Sequence, residues 1–295
     1  MKPVTIGDWL QRAGKLYARH DAALGQVATT VHDEALYLLL HTLKLPLDSP
    51  RAVLRRKVPP EDATRLAEIF RRRLEEHVPA AYLTREAWLG EHRFYVDERV
   101  IIPRSYFVEL LPEQIPQWLP ANRPVKRAVD VCTGSGCLAV LLARQFAQAR
   151  VDAIELSPDA AAVAKFNLAT HGLGRRVKLY HSDLFDAVPP ARYDLILSNP
   201  PYVPTRELRG LPAEFRNEPA MALDGGRDGL GVIRKLLLQA CDRLQPHGIV
   251  VLEVGGLRAA MDREFAALDL HWLHTEDGED CVCVVQAARL KNWRR

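Results

Sequence analysis

Hydrophobic and polar positions follow two different periods along this 295-residue chain. Over the first part, apolar side chains recur every three or four positions, which is typical of amphipathic helices. Thr5 and Asp8 fit a capping box at the start of a first helix, a second apolar run covers 35–45, and a third helix ends at Pro79. The pattern therefore predicts a helical N-terminal domain over residues 1–85.

Short segments with strand-like alternation replace the helical spacing in the next part of the chain. The three segments are 88–90, 94–96 and 100–102. They predict a β-hairpin over residues 86–104, with Asp97 and Glu98 at its turn, that links the helical domain to the rest of the protein. Ser105 then caps a helix that is predicted to continue to about Leu119.

Apolar runs alternate with helical patterns through the remainder of the chain. The predicted strands are 126–132, 150–156, 177–182, 193–198, 248–254, 271–276 and 281–287. The predicted helices between them are 137–146, 158–171, 230–244 and 257–268. Alternation of this kind predicts an α/β fold, with a mostly parallel sheet covered by helices on both faces.

Composition and charge change this picture little. Hydrophobic residues make up 48% and charged residues 26% of the chain, the formal net charge is +3, and the pI is near 8.6. These values describe a soluble globular protein whose mildly basic charge does not by itself require a nucleic acid partner. The Arg71-Arg72-Arg73 run on the third helix is predicted to form a solvated face, with an acidic partner or RNA as the alternative.

Cysteine and histidine spacing indicates neither a disulfide framework nor a metal site. The five cysteines form no CxxC pair, and the ten histidines show no HExxH or comparable spacing. The N-terminus has no apolar signal core, and the longest apolar stretch, 36–45, is too short to span a bilayer. A reduced, cytoplasmic protein that uses no metal and does not contact the membrane is expected.

A rigid loop after the fourth strand carries the most informative residues. Pro200 and Pro201 end that strand and fix an extended backbone between Asn199 and Tyr202. The loop offers an amide, carbonyl oxygens and an aromatic ring, so it can accept both hydrogens of a planar NH2 and pack on its face. It stands at the carboxyl end of a strand, where open α/β sheets bind ligands. A simple strand-terminating turn is the alternative.

A glycine-rich turn follows the first strand of the sheet. Residues 134–139, Gly-Ser-Gly-Cys-Leu-Ala, fit the pattern G-x-G-x-x-A between a strand and a helix. The glycines allow a tight turn and let a ligand approach the backbone. The second strand ends in Glu155, which is placed to accept hydrogen bonds from both hydroxyls of a ribose, or alternatively to cap the following helix.

The third strand is followed by Ser182-Asp183-Leu184-Phe185. Asp183 would accept a hydrogen bond from an adenine amine, with Leu184 or Phe185 against the ring; an ordinary loop aspartate is the alternative. A nicotinamide dinucleotide and S-adenosylmethionine both suit a glycine turn followed by an acid. Because Asn-Pro-Pro-Tyr holds an amine or amide and offers no hydride chemistry, S-adenosylmethionine is the favoured cofactor.

These motifs resemble those of the class I S-adenosylmethionine-dependent methyltransferases. Asn-Pro-Pro-Tyr narrows the resemblance to enzymes that methylate planar nitrogen, either adenine amines in DNA or glutamine amides in proteins. The whole layout is similar to the protein glutamine methyltransferases of the translation apparatus. That family implies a helical substrate-recognition domain, a hairpin linker and a Rossmann-like catalytic domain with a seven-stranded sheet, here over residues 105–295.

Two branches of that family differ in their substrate, which is either a peptide-release factor or the third large-subunit ribosomal protein, L-three. The stretches similar to the ribosomal-protein branch are 100–105, 130–137 and 214–219. Asn217 stands where that branch usually has His, and Tyr106-Phe107 where Pro is more common. The resemblance therefore implies glutamine methylation of L-three, free or in an assembling large subunit, with release factors as the alternative.

The family pattern also implies where the ligands bind. It places the methyl donor against Cys132, Thr133, Gly134, Ser135, Gly136, Glu155, Asp183 and Leu184, with Asn199 reaching both donor and acceptor. The acceptor amide would lie on Asn199, Pro200, Pro201 and Tyr202. The Asn199 side-chain oxygen and the Pro200 carbonyl would accept its two N–H groups and aim its lone pair at the methyl group. Tyr202 would pack on the amide, and no general base is evident.

The remaining segments leave several functions open. The long 203–229 segment is predicted to face the substrate, with a mobile insertion as the alternative. The basic tail, Lys291–Arg295, is a candidate contact with ribosomal RNA. A DNA adenine methyltransferase would need a DNA-reading module, a non-catalytic ribosome-assembly factor would bind the cofactor without turnover, and a nicotinamide oxidoreductase would transfer hydride.

Overall fold

The structure is a computed structural model that describes residues 4–20, 22–25 and 27–293. The α-helices are α1 (Ile6–Tyr17), α2 (Val31–Thr42), α3 (Pro60–Leu74), α4 (Ala80–Thr84), α5 (Phe107–Glu113), α6 (Cys137–Gln145), α7 (Pro158–Thr170), α8 (Ala220–Leu223), α9 (Gly231–Arg243), α10 (Arg258–Glu264) and α11 (Ala287–Trp293). The strands are β1 (Ala87–Leu89), β2 (His92–Phe94), β3 (Arg127–Val131), β4 (Arg150–Glu155), β5 (Val177–His181), β6 (Tyr193–Ser198), β7 (Leu244–Glu253), β8 (His271–Leu273) and β9 (Val282–Gln286).

The N-terminal helices pack around an apolar core of their own. Thr5 and Asp8 form the predicted capping box, in which the Asp8 amide donates to Thr5 Oγ1 at 3.2 Å and the Thr5 amide donates to Asp8 Oδ2 at 2.8 Å. Leu38 of α2 and Leu66 and Phe70 of α3 are buried in this core. The capping box and the helical character of this part of the chain are confirmed.

The linker hairpin lies earlier in the chain than the sequence pattern predicts. β1 pairs with β2 in antiparallel register, so the turn is at Gly90 and Glu91, and its predicted position at Asp97 and Glu98 is wrong. Gly90 has a φ of +59°, a backbone conformation that suits glycine in a two-residue turn. Residues 100–102 form no strand, and Val100 and Ile102 are instead buried in one cluster with Ala160 and Val163 of α7.

The remaining strands form one seven-stranded sheet in the order β5-β4-β3-β6-β7-β9-β8. β9 runs antiparallel to both of its neighbours, and the other neighbouring pairs are parallel. The seven predicted strands and the four predicted helices between them are all present. The strand order reverses between β3 and β6, and in such sheets ligands bind beyond the carboxyl ends of the strands at this point.

Helices cover both faces of this sheet, as the alternation of elements predicts. α5 and α6 pack on one face, and α9, α10 and α11 pack on the other. Alternate residues of β6 divide between the two cores, since Leu195 and Leu197 face the first and Ile196 faces the second. The central strands are therefore buried on both sides, and their open ends are the places where a ligand has access.

The helix predicted from Ser105 to Leu119 is in fact two shorter helices. α5 is followed by a 3₁₀ helix over Ile115–Trp118. Pro112 and Pro116 lack the N–H groups that a continuous α-helix would use here, which explains the interruption.

The arginine run on α3 does not form one solvated face. Arg71 and Arg72 are exposed and lie 2.7 and 3.6 Å from the Glu76 carboxylate. Arg73 is fully buried, so the prediction is wrong for this residue. The helix turns every 3.6 residues, which places the third arginine of the run on the inner side of α3.

Arg73 is the centre of a buried group of side chains, the Arg73 cluster, formed by Tyr17, Glu34, Arg73 and Glu214. Arg73 donates to Glu34 Oε1 at 2.7 Å, to Glu214 Oε1 at 2.8 Å and to the Ala23 carbonyl at 2.6 Å. The Tyr17 hydroxyl donates to Glu34 Oε1 at 2.6 Å. The cluster joins the N-terminal helices to the chain between β6 and α8.

The 203–229 segment is also tied to the linker. Glu218 Oε1 accepts from Arg104 Nη2 at 2.8 Å, and Glu218 Oε2 accepts from the Ile102 amide at 3.0 Å. The Phe215 ring centre lies 4.7 Å from the Arg104 guanidinium carbon. These contacts argue against a mobile insertion.

Three further predictions concern the basic tail, membrane-spanning helices and metal ions. α11 includes Lys291 of the basic tail, whereas Arg294 and Arg295 lie outside the described residues. No helix in the described ranges is both long and apolar enough to cross a membrane. Residues 4–20, 22–25 and 27–293 contain no group of three or more His, Cys, Asp or Glu residues able to hold a metal ion.

Candidate active site

The glycine-rich turn and the first predicted acid meet at the carboxyl ends of β3 and β4. The Gly134 amide donates to Glu155 Oε2 at 2.7 Å, and the Ser157 amide donates to Glu155 Oε1 at 2.8 Å. Glu155 thus supports both the turn and the start of α7. A carboxylate has about four acceptor positions, so Glu155 keeps capacity for further donors such as ribose hydroxyls.

One hydrogen bond within the turn and one from α7 hold the turn in place. The Gly136 amide donates to the Thr133 carbonyl at 2.8 Å, and Asn167 of α7 donates to the Ser135 carbonyl at 2.9 Å. Cys132 has a φ of +63°, a left-handed conformation that is uncommon outside glycine, and burial raises the pKa of its thiol. The five predicted residues of this turn therefore form one rigid unit.

Asp130, near the end of β3, is a fully buried carboxyl beneath this turn. Its Oδ2 accepts from the Thr133 hydroxyl. The Ala139 amide faces the carboxyl, but Oδ1 makes no well-formed hydrogen bond within the described part of the chain. Burial raises the pKa of Asp130 to about 7. A buried acceptor with spare capacity suits a donor from a bound ligand.

We expect the wild-type protein to lose unfolding free energy relative to Asp130→Asn as the pH rises. The folded-state pKa of about 7 exceeds the ordinary value of 3.8, so folding favours the protonated carboxyl. This stabilisation is complete below about pH 4 and is lost as the pH rises through 7. It amounts to about 1.4 kcal/mol per unit of pKa difference. Urea unfolding of both proteins between pH 5 and 8 measures it, and a pH-independent difference would contradict the expectation.

The residues predicted for the adenine side lie at the end of β5, next to β4. Asp183 pairs with Lys235 Nζ at 2.8 Å, and 52% of its side chain is exposed, so it remains open to a ligand. Leu184 and Phe185 are buried in the core on one face of the sheet. The Phe185 ring packs on Tyr193 instead, which leaves Leu184 as the apolar candidate of the pair.

Asn199 lies at the carboxyl end of β6, beside the end of β7. Its side-chain nitrogen donates to Glu253 Oε1 at 3.0 Å. Glu253 is the last residue of β7, and its Oε2 accepts from the Ser105 hydroxyl at 2.5 Å and from the Tyr106 amide at 3.2 Å. Burial raises the pKa of Glu253 to about 7. The Asn199 amide is therefore held in place from the β7 side.

Pro200 and Pro201 carry the chain from Asn199 to Tyr202 along the same edge of the sheet. A Cβ atom on Gly255 would lie 2.5 Å from Tyr202 Cε2, so the ring packs directly on the backbone that follows β7. Burial, followed by the nearby Glu253 charge, raises the pKa of Tyr202 to about 12. The four residues of the predicted acceptor site thus share one edge, and the phenol stays neutral.

Replacing Gly255 with Ala should displace the Tyr202 ring, because Gly255 has a φ of +50° and no room for a methyl group. We expect kcat to fall by about 100-fold, the size of effect that a misplacement of about 1 Å produces. Gly256→Ala is the matched control, since a Cβ atom there would meet nothing within 4 Å. Steady-state kinetics and melting curves of both variants measure this; equal kinetics would contradict it.

Sequence reasoning missed Glu253 and Asp130 as site residues. The signal that was available is a single charge near the end of an otherwise apolar strand, as in Ile249–Val254 and Ala128–Val131. Burying a carboxyl is costly unless a partner compensates, so such a residue marks a specific local arrangement.

The strand order, with Asn199 at the carboxyl edge of the sheet, is that of a Rossmann-like fold, and part of the chain matches a methyltransferase family model. The family model described as "Methyltransferase small domain" matches residues 109–211. The catalytic domain of hMettl16, solved with the MAT2A 3'UTR hairpin 6, has the same fold. That match has a TM-score of 0.53 and 14% identity, and it covers 77% of this chain and 82% of that one. These findings confirm the predicted fold class.

The chain is 44% identical over 293 residues to the ribosomal protein uL3 glutamine methyltransferase of Burkholderia pseudomallei. The alignment covers 97% of this chain and 95% of that protein. Proteins of the same name from Bordetella pertussis and Neisseria gonorrhoeae are 43% and 41% identical, over 97% of this chain and 96% and 95% of their own lengths. The chain belongs to the family of ribosomal protein uL3 glutamine methyltransferases. Its methyl donor is S-adenosylmethionine, as the sequence motifs predict.

Proposed function

We propose that this enzyme methylates the side-chain amide nitrogen of a glutamine in ribosomal protein uL3, the L-three protein of the sequence analysis. The observation that carries the proposal is the 44% identity to an enzyme of that name over 97% of the chain. The Asn199–Tyr202 edge supplies the acceptors that a planar amide requires. Such an enzyme works in the cytoplasm, on uL3 that is either free or part of an assembling large subunit.

The residues around the glycine turn fit S-adenosylmethionine. The carboxyl of Asp130 retains an acceptor oxygen for a charged donor such as the cofactor's ammonium group. Glu155 has spare acceptor positions for the ribose hydroxyls, and Asp183 is open to the adenine amine. Cys132, Thr133, Gly134, Ser135, Gly136 and Leu184 would line the rest of the site. When bound, S-adenosylmethionine supplies an electrophilic methyl group.

The acceptor amide would be oriented by two oxygens of the chain. Asn199 Oδ1 and the Pro200 carbonyl would accept its two N–H groups, which would turn the nitrogen lone pair toward the cofactor. A carboxamide nitrogen is a poor nucleophile, because its lone pair is delocalised into the carbonyl group. Fixed acceptors favour pyramidal nitrogen and stabilise the positive charge that develops there. One N–H proton then passes to solvent.

Tyr202 and the preceding prolines would exclude water and hold the amide plane. The Tyr202 ring rests on Gly255, so its orientation is fixed before substrate arrives. With its pKa near 12, the Tyr202 phenol keeps its proton and is not a general base at neutral pH. Pro201 stiffens the loop and contributes no donor that would compete for the acceptors.

The rest of the substrate surface would come from the N-terminal helices and the 203–229 segment, which the Arg73 cluster joins. We propose that these elements recognise the fold of uL3 around the target glutamine. Arg71 and Arg72 remain exposed on the outer face of α3, and they and the basic tail are the candidates for an incidental contact with ribosomal RNA.

The test uses labelled S-adenosylmethionine with isolated uL3, a peptide-release factor and large-subunit precursor particles as acceptors. Peptide mass spectrometry then locates a single added methyl group on glutamine. Label on uL3, free or in the particles, is the expected result. Label on the release factor alone would overturn the assignment to uL3 and keep the chemistry. No label on any acceptor, with the cofactor bound, would favour a binding factor without turnover.

A further inference from the structure

We propose that Glu253 is a positioning residue for methyl transfer, which sets the orientation of the Asn199 carboxamide so that its oxygen faces the acceptor glutamine. The inference rests on the proposed function for its reaction. However, the contact between Glu253 and Asn199 that supports the inference is a property of the chain alone, and one of the tests needs no substrate.

When Glu253 is ionised, the contact between the two side chains has only one polarity. An ionised carboxylate can accept hydrogen bonds and cannot donate them, so the group that Asn199 presents to Glu253 Oε1 at 3.0 Å is its NH2. The Asn199 oxygen therefore points to the other side of the amide. Within the described residues, no protein group donates to that oxygen.

Without Glu253, the two orientations of the carboxamide would differ little in energy, since oxygen and NH2 are nearly equal in size. Only one of them offers an acceptor to the substrate. The other presents a second donor to an amide that itself needs two acceptors, which leaves both groups unpaired in the cleft. A residue that selects the orientation therefore acts directly on the rate of transfer.

Glu253 is in turn fixed by the linker between the hairpin and α5. Its Oε2 accepts from the Ser105 hydroxyl at 2.5 Å and from the Tyr106 amide at 3.2 Å. The Ser105 oxygen also accepts from the Phe107 amide at 3.1 Å, which holds its hydroxyl toward Glu253. Both carboxylate oxygens are thus engaged, and the side chain is 4% exposed.

A purely structural role would not require a charge at this position. Burying a carboxylate at the end of an apolar strand is costly, and a neutral amide could fill the same volume. Burial raises the pKa of Glu253, and its hydrogen bonds and the nearby Arg104 oppose that rise. Tyr202 and Cys281 on the neighbouring segments stay neutral. Retention of the carboxylate beside Asn199 is explained when its acceptor-only character is what the site uses.

Glu253→Gln removes the negative charge of the side chain and keeps its size and shape. The Tyr106 amide and the Ser105 hydroxyl favour the Gln oxygen on their side, so the Gln NH2 faces Asn199. Asn199 then turns its own oxygen toward residue 253 and its NH2 into the cleft. We expect kcat to fall by about 100-fold, in the range seen when one preorganised hydrogen-bonding group is removed, with the Kd for S-adenosylmethionine within about twofold of wild type.

Combining this change with Asn199→Asp should restore activity. The Asp oxygen nearest residue 253 accepts from the new Gln NH2, and the second oxygen again offers an acceptor to the substrate. Asn199→Asp alone places two carboxylates side by side and should be at least as slow as Glu253→Gln. We therefore expect the double variant to exceed both single variants in kcat by about tenfold or more, a reversal that general damage to the fold cannot produce.

The kinetics are measured at pH 8.5, where Glu253 is ionised, with uL3 as acceptor and Glu113→Gln, an exposed position on α5, as the matched control. The proposal is overturned if Glu253→Gln keeps kcat within about twofold of wild type, or if the double variant is no faster than the single ones. A wild-type enzyme that leaves uL3 unmethylated would be a failure of the proposed function instead.

The substrate-free test follows the Asn199 side-chain NH2 by NMR, with its signal assigned by its loss in Asn199→Ala. In the wild type, the NH2 donates to a buried carboxylate and should exchange slowly with solvent. In Glu253→Gln it turns away from residue 253 and should exchange about tenfold faster or more. Equal exchange in the two proteins would overturn the proposed orientation, whatever the true acceptor of the enzyme is.

Discussion

Asn199→Ala should reduce glutamine methylation by about 1000-fold while the protein remains folded. The substitution removes the proposed side-chain acceptor for one substrate N–H group, and loss of one preorganised hydrogen-bonding group typically costs about 100- to 1000-fold in kcat. It also leaves the carboxylate of Glu253 without one of its donors. The upper end of the range is expected because the amide both orients the acceptor and stabilises charge on its nitrogen.

The measurement combines single-turnover methylation of uL3, calorimetric binding of S-adenosylmethionine and a melting curve. Asn292→Ala is the matched control, because Asn292 is an exposed amide on α11. We expect that control to behave as wild type in all three measurements. Methylation at the wild-type rate in Asn199→Ala would remove Asn199 from the mechanism.

Arg73→Ala should destabilise the protein by about 3–5 kcal/mol, the usual effect of removing one partner from a buried charge network. The guanidinium is fully buried between the carboxylates of Glu34 and Glu214, which are themselves buried. Without it, both carboxylates stay in the interior and lose the guanidinium that they share. The free energy of unfolding, from urea titrations at neutral pH, gives the loss.

Arg72→Ala is a control one residue away on the same helix. The Arg72 side chain is 45% exposed and lies 3.6 Å from Glu76, and exposed ion pairs contribute roughly 0–1 kcal/mol. We expect little change in unfolding free energy for this variant. Similar losses of unfolding free energy for Arg73→Ala and Arg72→Ala would show that the buried ion pairs of Arg73 add no special stability. The arginine run would then act as one exposed surface.

Much of the catalytic part could be predicted from the sequence because its strands are buried on both faces. β6 and the second half of β7 are mostly apolar runs bounded by turn residues, and their lengths separate them from helices. The glycine turn and Asn199–Tyr202 could be located for the same reason: each directly follows such a strand. In these segments, the local apolar pattern and the central position of the strand in the sheet lead to the same assignment.

The features that escaped prediction depend on contacts between distant segments. The hairpin turn was misplaced because both Gly90-Glu91 and Asp97-Glu98 have turn-forming residues, and only the pairing of β1 with β2 decides between them. Glu253 reads as one charge in a strand until Ser105, from a distant segment, is seen to donate to it. Hydrogen bonds across such separations leave no periodic trace in the sequence.

The Arg73 cluster also affects the order in which the parts of the protein are completed during synthesis. Glu214 is made 141 residues after Arg73. At a translation rate of about 5–20 residues per second, this interval lasts on the order of ten seconds. Through that time the emerging helices hold a cation that has Glu34 but lacks its second carboxylate. The last step of their maturation therefore waits for the chain beyond β6, so the first part of the enzyme to be synthesised is completed only after most of the protein has been made.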